Sequence, residues 1–443
     1  MKRYESWGRY PQAKPTRVVT IKGRSDQLPQ SEHGESMLAF AQGRSYGDTC
    51  LNDGGILLDT ALLSGIISFD KERGVLRCEA GTTLAKILDL IVPHGWFLPV
   101  APGTKHVSVG GAIAHDVHGK NHHRVGTFGR YVKQLEVLRS SGERLVCSSS
   151  QNAELFRATI AGMGLTGLIT WAEFQLQPID GPNIAVERLP FSSFDEFYSL
   201  AASSDQHYEY TVAWLDAVSG GRNTGRGIFT RGNTTKDDAS PTKRTEGLRL
   251  RRMPVDAPSF ILNRLTVKAM QALYYRAQSQ QAAREVLHYE PFLFPLDAIE
   301  NWNRIYGRRG FLQYQCVVPF DERQAIEEIL SRINRSGLTA VLAVLKTFGD
   351  MKSPGMLSFP QPGITLAVDF PNQGERTLRL LDQLDEVTVA ARGAVYPAKD
   401  ARMSAKSFQK YFPDWKSFAG YVDPKFSSSF WRRVTANNTP CAP

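Results

Sequence analysis

The stretch PGTKHVSVGGAIAHDVHGKNHHRVGTFG, Pro102 to Gly129, consists of small residues, glycines and polar groups, with little in it to fill a core. Such a segment makes sense where a large ligand takes the place of the missing side chains. Gly103, Thr104, Gly110 and Gly111 then bring backbone against the ligand, because glycine lets N–H groups approach closely. His118, Lys120 and Asn121 supply polar groups. Two other segments repeat the theme. In AQGRSYGD, Ala41 to Asp48, a β-rich run meets a turn containing Gly43 and Gly47, and Arg44 and Ser45 add donors suited to a diphosphate. AGMGLTGLIT, Ala161 to Thr170, is the third. None is a Walker A loop or a GxGxxG fingerprint, and taken singly each reads as a turn.

Four histidines in the first stretch, His115, His118, His122 and His123, raise a metal reading, since three or four imidazoles hold zinc. No metal is expected: glycine interrupts the spacing, no acidic ligand pattern accompanies it, and Lys120 opposes a cation.

Around these segments, residues 16 to 180 alternate short β-rich runs with two helices, TLAKILDLIVPHG, stopping at Gly95, and NAELFRATIAG, with Asn152 as its expected N-cap. The fold class is α+β. The strand rhythm breaks after Pro178, which places a boundary near residue 181. Beyond it, FLQYQCVVP, ERQAIEEILSRINRSG, AVLAVLKTF, ITLAVDF and GERTLRLLDQLDEVTVAARG read as strand, helix, two strands and helix. That order suggests an antiparallel sheet with helices on one face. The basic TKRTEGLRLRRMP and the apolar, basic run after it read as a solvated helix or loop; the functional reading is an amphipathic membrane-facing segment.

A chain of 443 residues exceeds what one core supports, so two lobes are expected, with ligands at their interface. A net charge of +9 fits an anionic partner: a phosphate ligand, an acidic lipid surface or nucleic acid. The N-terminus lacks a signal-peptide apolar region and no stretch approaches the ~20 apolar residues of a membrane span, so cytoplasmic synthesis is expected. Five scattered cysteines suggest reduced thiols rather than a disulfide framework.

In chain order GRSYGD, PGTKHVSVGGAIAHDVHGKNHH, GLTG, GFLQYQ and YPAKDAR resemble the decaprenylphosphoryl-β-D-ribose 2'-oxidase family, within the vanillyl-alcohol-oxidase (PCMH-type) flavoproteins. The resemblance runs from Trp7-Gly8-Arg9 to the C-terminal region. It implies an FAD-binding lobe of residues 1–180 completed by a C-terminal tail, 394–443, with a substrate lobe, 181–393, inserted between. It implies cofactor contacts at Gly43, Arg44, Ser45, Tyr46, Gly103, Thr104, Val107, Gly110, Gly111, Ala114, His118, Gly119, Asn121, Leu168, Ile169 and Tyr396. Substrate contacts would come from Lys120, Gln313, Gln315, Lys346, Thr365, Ala367 and Lys399. Departures are Ala41 for a usual glycine, Thr365 for asparagine, and Ala367 and His115 for cysteines; the strand changes bear on which sugar is bound. Arg44 stands where covalent-flavin relatives carry histidine, so noncovalent FAD is expected.

The activity so implied is oxidation of the 2'-hydroxyl of a polyprenylphosphoryl ribose to the keto sugar, the first half of an epimerisation to the arabinose form. A separate NAD(P)H-dependent keto-sugar reductase is the pathway partner, and peripheral contact at the inner membrane face accompanies it. Such an oxidation needs a two-electron acceptor, which side chains lack, and a base for the hydroxyl proton. Lys399 is the first candidate, His118 and Tyr46 the alternatives; Lys399 also suits a purely electrostatic role. Gln313 and Gln315 share one strand face, but the opposite face, Leu312, Tyr314 and Cys316, leaves the inward side open. Rival readings are an FAD oxidase of a soluble sugar, alditol or aldonolactone, and a basic protein that binds nucleic acid or acidic lipid without catalysis, for which no nucleic-acid module is recognisable.

Overall fold

The computed structural model describes residues 3–31, 34–219, 225–237, 251–258, 260–280 and 284–436. The N-terminal half holds two small sheets besides a two-residue antiparallel pair, Trp96–Phe97 with Gln177–Pro178. One is parallel, ordered Arg17–Thr20, Ile56–Asp59, Met37–Phe40. The other is antiparallel, ordered Ile66–Asp70, Val75–Glu79, Leu168–Gln175, Val132–Leu138, Arg144–Ser148. Helix Leu84–Ile91 starts where the Thr83 side chain accepts from the Lys86 N–H, and it buries Leu84, Ile87, Leu88 and Ile91. That i, i+3, i+4, i+7 set is the stripe read from the sequence. Gly95, in the left-handed region, ends the turn that follows. Asn152 corrects the expectation: it lies in the left-handed region without capping the next helix, and its side chain donates to the Val146 carbonyl instead.

The second half is built on an eight-stranded antiparallel sheet, ordered 284–288, 183–191, 227–235, 210–215, 342–348, 363–371, 311–318 and 394–395. The expected βαββα order is present: Phe311–Val318, helix Gln324–Ser336, Leu342–Phe348, Gly363–Pro371, helix Glu375–Ala390. The first helix buries Ile326, Ile329, Leu330 and Ile333. Tyr314 reaches Thr388 of the second at 2.8 Å between hydroxyls, so Leu312, Tyr314 and Cys316 face the helices and Gln313 and Gln315 face the opposite way.

Helices do not all share one face. Arg264–Ser279 lies on the glutamine side, where its Tyr274 packs against Trp214 with ring centroids 4.8 Å apart and Gln271 donates to the carbonyls of Ala340 and Val341. Residues 242–250 of the basic stretch lie outside the described residues. Ala394–Val395 still pairs with the Gln313 strand, so the sheet continues two residues past 393. The chain then returns to the N-terminal half. Arg433 donates to both carboxylate oxygens of buried Asp48, at 3.0 and 2.7 Å, and to Asp400. Charge-assisted, two-pronged contacts of this kind are the stronger class of hydrogen bond.

Candidate active site

A cleft of about 330 Å³ opens between the halves, within the size range of small-molecule sites. One wall is Gly43 to Tyr46, Gly103, Thr104, Val107, Gly110, Gly111, Ala114, Leu168 and Ile169. Gln313, Gln315, Lys346 and Ala367 form the other, joined by His118, Tyr396 and Lys399. Residues from seven separate stretches therefore converge on one space. The joint between two of them is tight. Tyr46 N–H donates to the Ala398 carbonyl at 2.8 Å, and a Cβ on Gly47 would sit 1.8 Å from the Asp400 carbonyl oxygen. Only glycine lets GRSYGD lie against PAKDA, and that contact sets the Lys399 ammonium 3.4 Å from the centroid of the Tyr46 ring.

Four expected contacts lie off the cleft wall. Lys120 turns away and donates to the Phe292 carbonyl, because the loop at this point backs onto the Phe292–Leu293 turn. Asn121 donates to the Pro99 carbonyl at 2.8 Å. A Cβ on Gly119 would meet Asn121 at 2.6 Å and the Ala101 carbonyl at 2.8 Å, so this glycine serves chain packing. Thr365, fully buried, accepts from Gln315 at 3.4 Å and stands behind it.

The cleft suits a flat, anionic cofactor. Nothing lies within 4 Å of a Cβ built on Gly103, and only the Ser108 hydroxyl, at 3.1 Å, approaches one on Gly111. Both glycines leave room that the protein does not fill. Arg44 stacks over Trp7 at 4.1 Å, and its buried Nε has no hydrogen-bond partner among the described residues. A buried guanidinium left partly unsatisfied is costly unless an anion completes it.

Electrostatics separate the candidate bases. His118 lies between Gln315, 3.0 Å from Nε2, and Lys346, 3.3 Å from Nδ1. Burial, then Lys346, His122 and Lys399, hold its pKa well below the ordinary value. A neutral imidazole accepts at one nitrogen only, and the Gln315 amide NH2, which can only donate, engages it at Nε2. Burial and Asp369 push the Tyr46 phenol far up, so it keeps its proton. Burial brings Lys399 down to about 7, with Asp369 opposing and Lys346 adding to the shift. Lys399 is the one of the three with a lone pair to offer near neutral pH.

The four histidines do not converge. His115 pairs with the Ser45 hydroxyl at 3.1 Å, His123 with the Tyr208 carbonyl at 3.0 Å, and the His118 and His122 rings stand 6.5 Å apart. Among the described residues no group of three or more His, Cys, Asp or Glu is placed to hold a metal.

Residues 30–148 match a family model described as an FAD binding domain. A decaprenylphosphoryl-beta-D-ribose oxidase of Mycolicibacterium smegmatis is 35% identical over 454 residues, covering 98% of this chain and 97% of its own. The chain belongs to the decaprenylphosphoryl-β-D-ribose oxidase family. As a member of that family it is an FAD-dependent oxidoreductase acting on CH–OH groups. An uncharacterized protein of Streptomyces coelicolor is 30% identical over 371 residues, 80% of this chain and 99% of its own. A putative D-arabinono-1,4-lactone oxidase of Neurospora crassa shares 31% over 137 residues, 31% of this chain and 24% of its own.

Sequence reading missed Trp7, Leu296, Trp302, Leu342 and Val344, which also line the cleft. Leu342 and Val344 were within reach: they share a strand face with Lys346 at period two.

Proposed function

We propose that this protein oxidises the 2'-hydroxyl of a polyprenylphosphoryl-β-D-ribose to the 2'-keto sugar. The observation that carries the reading is the convergence, in one cleft, of the glycine cradle with Gln313, Gln315 and Lys346 from the eight-stranded sheet and Lys399 from the tail that follows it. In this proposal residues 1–180 and the tail from 394 hold FAD, and 181–393 hold the substrate. FAD supplies the two-electron acceptor that takes hydride from the carbinol carbon.

The chain's own residues do the rest. Gln313 and Gln315 offer amide donors and acceptors to sugar hydroxyls. Lys399 takes the hydroxyl proton at Nζ, so the rate rises with pH through about 7, as the amine becomes free. Lys346, which burial brings down to about 8, faces the phosphate; an anion beside it restores its charge. Leu296, Trp302, Leu342 and Val344 give the cleft apolar wall suited to the first prenyl units.

FAD is held noncovalently in this reading. Cys50 in the cleft stays a thiol, with burial pushing it up to about 12. His115, brought down to about 4 by burial, is tied to Ser45. The keto product requires a hydride donor to finish an epimerisation, so an NAD(P)H-dependent reductase acts next. Peripheral membrane contact fits the exposed Phe260, Leu265 and Leu273 beside Lys268 and Arg276. Among the described residues no helix is long and apolar enough to cross a membrane.

Steady-state kinetics test the assignment. Polyprenylphosphoryl ribose is turned over, free ribose and alditols are not, and Lys346→Met raises KM for the phosphorylated sugar about tenfold with little change in kcat. Equal turnover of free sugars, or an unchanged KM, contradicts it.

A further inference from the structure

We propose that Asp369 is a positioning residue for the oxidation: its buried carboxylate fixes the Gln313 amide and balances the charge Lys399 gains on taking the hydroxyl proton. The proposal rests on Lys399 as the base, the reading given above.

Asp369 lies on strand Gly363–Pro371, directly across from Gln313 on one side and Leu342 on the other, with no exposure to solvent. One carboxylate oxygen accepts from Gln313 Nε2 at 2.5 Å, the other from the Tyr306 hydroxyl at 3.2 Å. Tyr306 is itself held by stacking on Phe311, with ring centroids 4.2 Å apart and planes 13° from parallel. An ionised carboxylate only accepts, so it fixes which way the Gln313 amide points. The amide oxygen is left for a donor, and in the cleft that donor is a sugar hydroxyl.

The same carboxylate acts on Lys399 through space. The charged groups around the lysine are Asp369, which favours its protonated form, and Lys346, which opposes it. Tyr46, under the ammonium, and His118 stay neutral. Burial holds Asp369 above the ordinary carboxylate range, while Gln313, Lys399 and Tyr306 pull it back. In the reaction the substrate O–H bond breaks and an N–H bond forms on Lys399. The C–H electron pair leaves as hydride to FAD, and the carbon–oxygen double bond forms. The lysinium so created sits in a buried cleft beside another lysine, and Asp369 is the anion that compensates it.

A tie between strands would explain the hydrogen bonds alone, but it would leave the ionisation of Lys399 unmoved. The test therefore compares wild type with Asp369→Asn in two measurements on the holoenzyme. The first is the pH profile of kcat. Removing the anion disfavours the lysinium, so the rising limb moves down by about one pH unit, and the weaker base lowers the plateau about tenfold. The second is the pH dependence of Lys399 acetylation by acetic anhydride in the resting enzyme, read by peptide mass spectrometry; its midpoint moves down by the same amount. Asp369→Ser, which leaves room for a water between Gln313 and Tyr306, carries the same expectation where the asparagine variant does not fold. A limb and a labelling midpoint that both stay in place overturn the role of Asp369 and leave Lys399 as base. Absence of any rising limb in wild type, with labelling still shifted by Asp369→Asn, overturns the base reading and with it this proposal.

Discussion

Lys399→Ala is expected to lower kcat about a thousandfold, roughly 4 kcal/mol of barrier, while the protein stays yellow. The expectation follows from the competition among three bases. His118 has its accepting nitrogen engaged by the Gln315 amide, Tyr46 keeps its proton, and Lys399 alone of the three is brought near neutrality by burial. Lys399 reaches the cleft over the Tyr46 ring and is no part of the Gly103–Gly111 stretch, so cofactor retention is expected to survive. Stopped-flow reduction of the enzyme by substrate separates the chemical step from later ones. A loss below tenfold in the reduction rate would remove Lys399 from the proton transfer. The remaining activity should also lose its rising limb near pH 7, since the group that titrates there is gone.

Gly103→Phe is expected to abolish FAD binding without unfolding the chain. The glycine has no neighbour within 4 Å of a built Cβ and does not need the left-handed backbone that only glycine tolerates easily. A phenyl ring at this point enters the space that the cradle leaves for the cofactor. The purified variant should be colourless, should fail to take up added FAD, and should melt at the temperature of FAD-stripped wild type. Binding of a cofactor to the native state alone adds stability by mass action, so the holoenzyme is the right comparison only for the wild type. Retention of a full complement of flavin would move the cofactor away from the Pro102–Gly111 wall.

Both expectations depend on features that were unequally legible in the sequence. The cradle was legible because a run of glycines and small residues with nothing to bury is a local signal, and the structure puts Gly103, Gly110 and Gly111 on the cleft wall. Three strands of the eight-stranded sheet, 311–318, 342–348 and 363–371, and the helices between and after them were legible through periodicity; the other five strands were not. The direction of Lys120 was not legible because neighbourhood in an irregular loop says nothing of it: one residue after Gly119 the side chain turns to the Phe292 carbonyl. Asn152 shows the same limit, since a cap residue type fixes a helix start only when its backbone adopts the extended cap geometry. Both faces of the Phe311–Val318 strand are largely buried, so alternation gave two answers for Gln313 and Gln315 and the Tyr314–Thr388 contact chose one. The meeting of Tyr46 with Lys399 depends on a long-range contact through Gly47 that no local pattern encodes.

The most direct test is the visible spectrum of the purified protein, recorded without oxygen before and after addition of polyprenylphosphoryl ribose. Oxidised flavin bands that bleach on addition of this substrate, persist with free ribose, and accompany formation of a keto sugar are the expected result. A colourless protein that takes up no FAD, or flavin bands untouched by the lipid-linked sugar, would contradict the account.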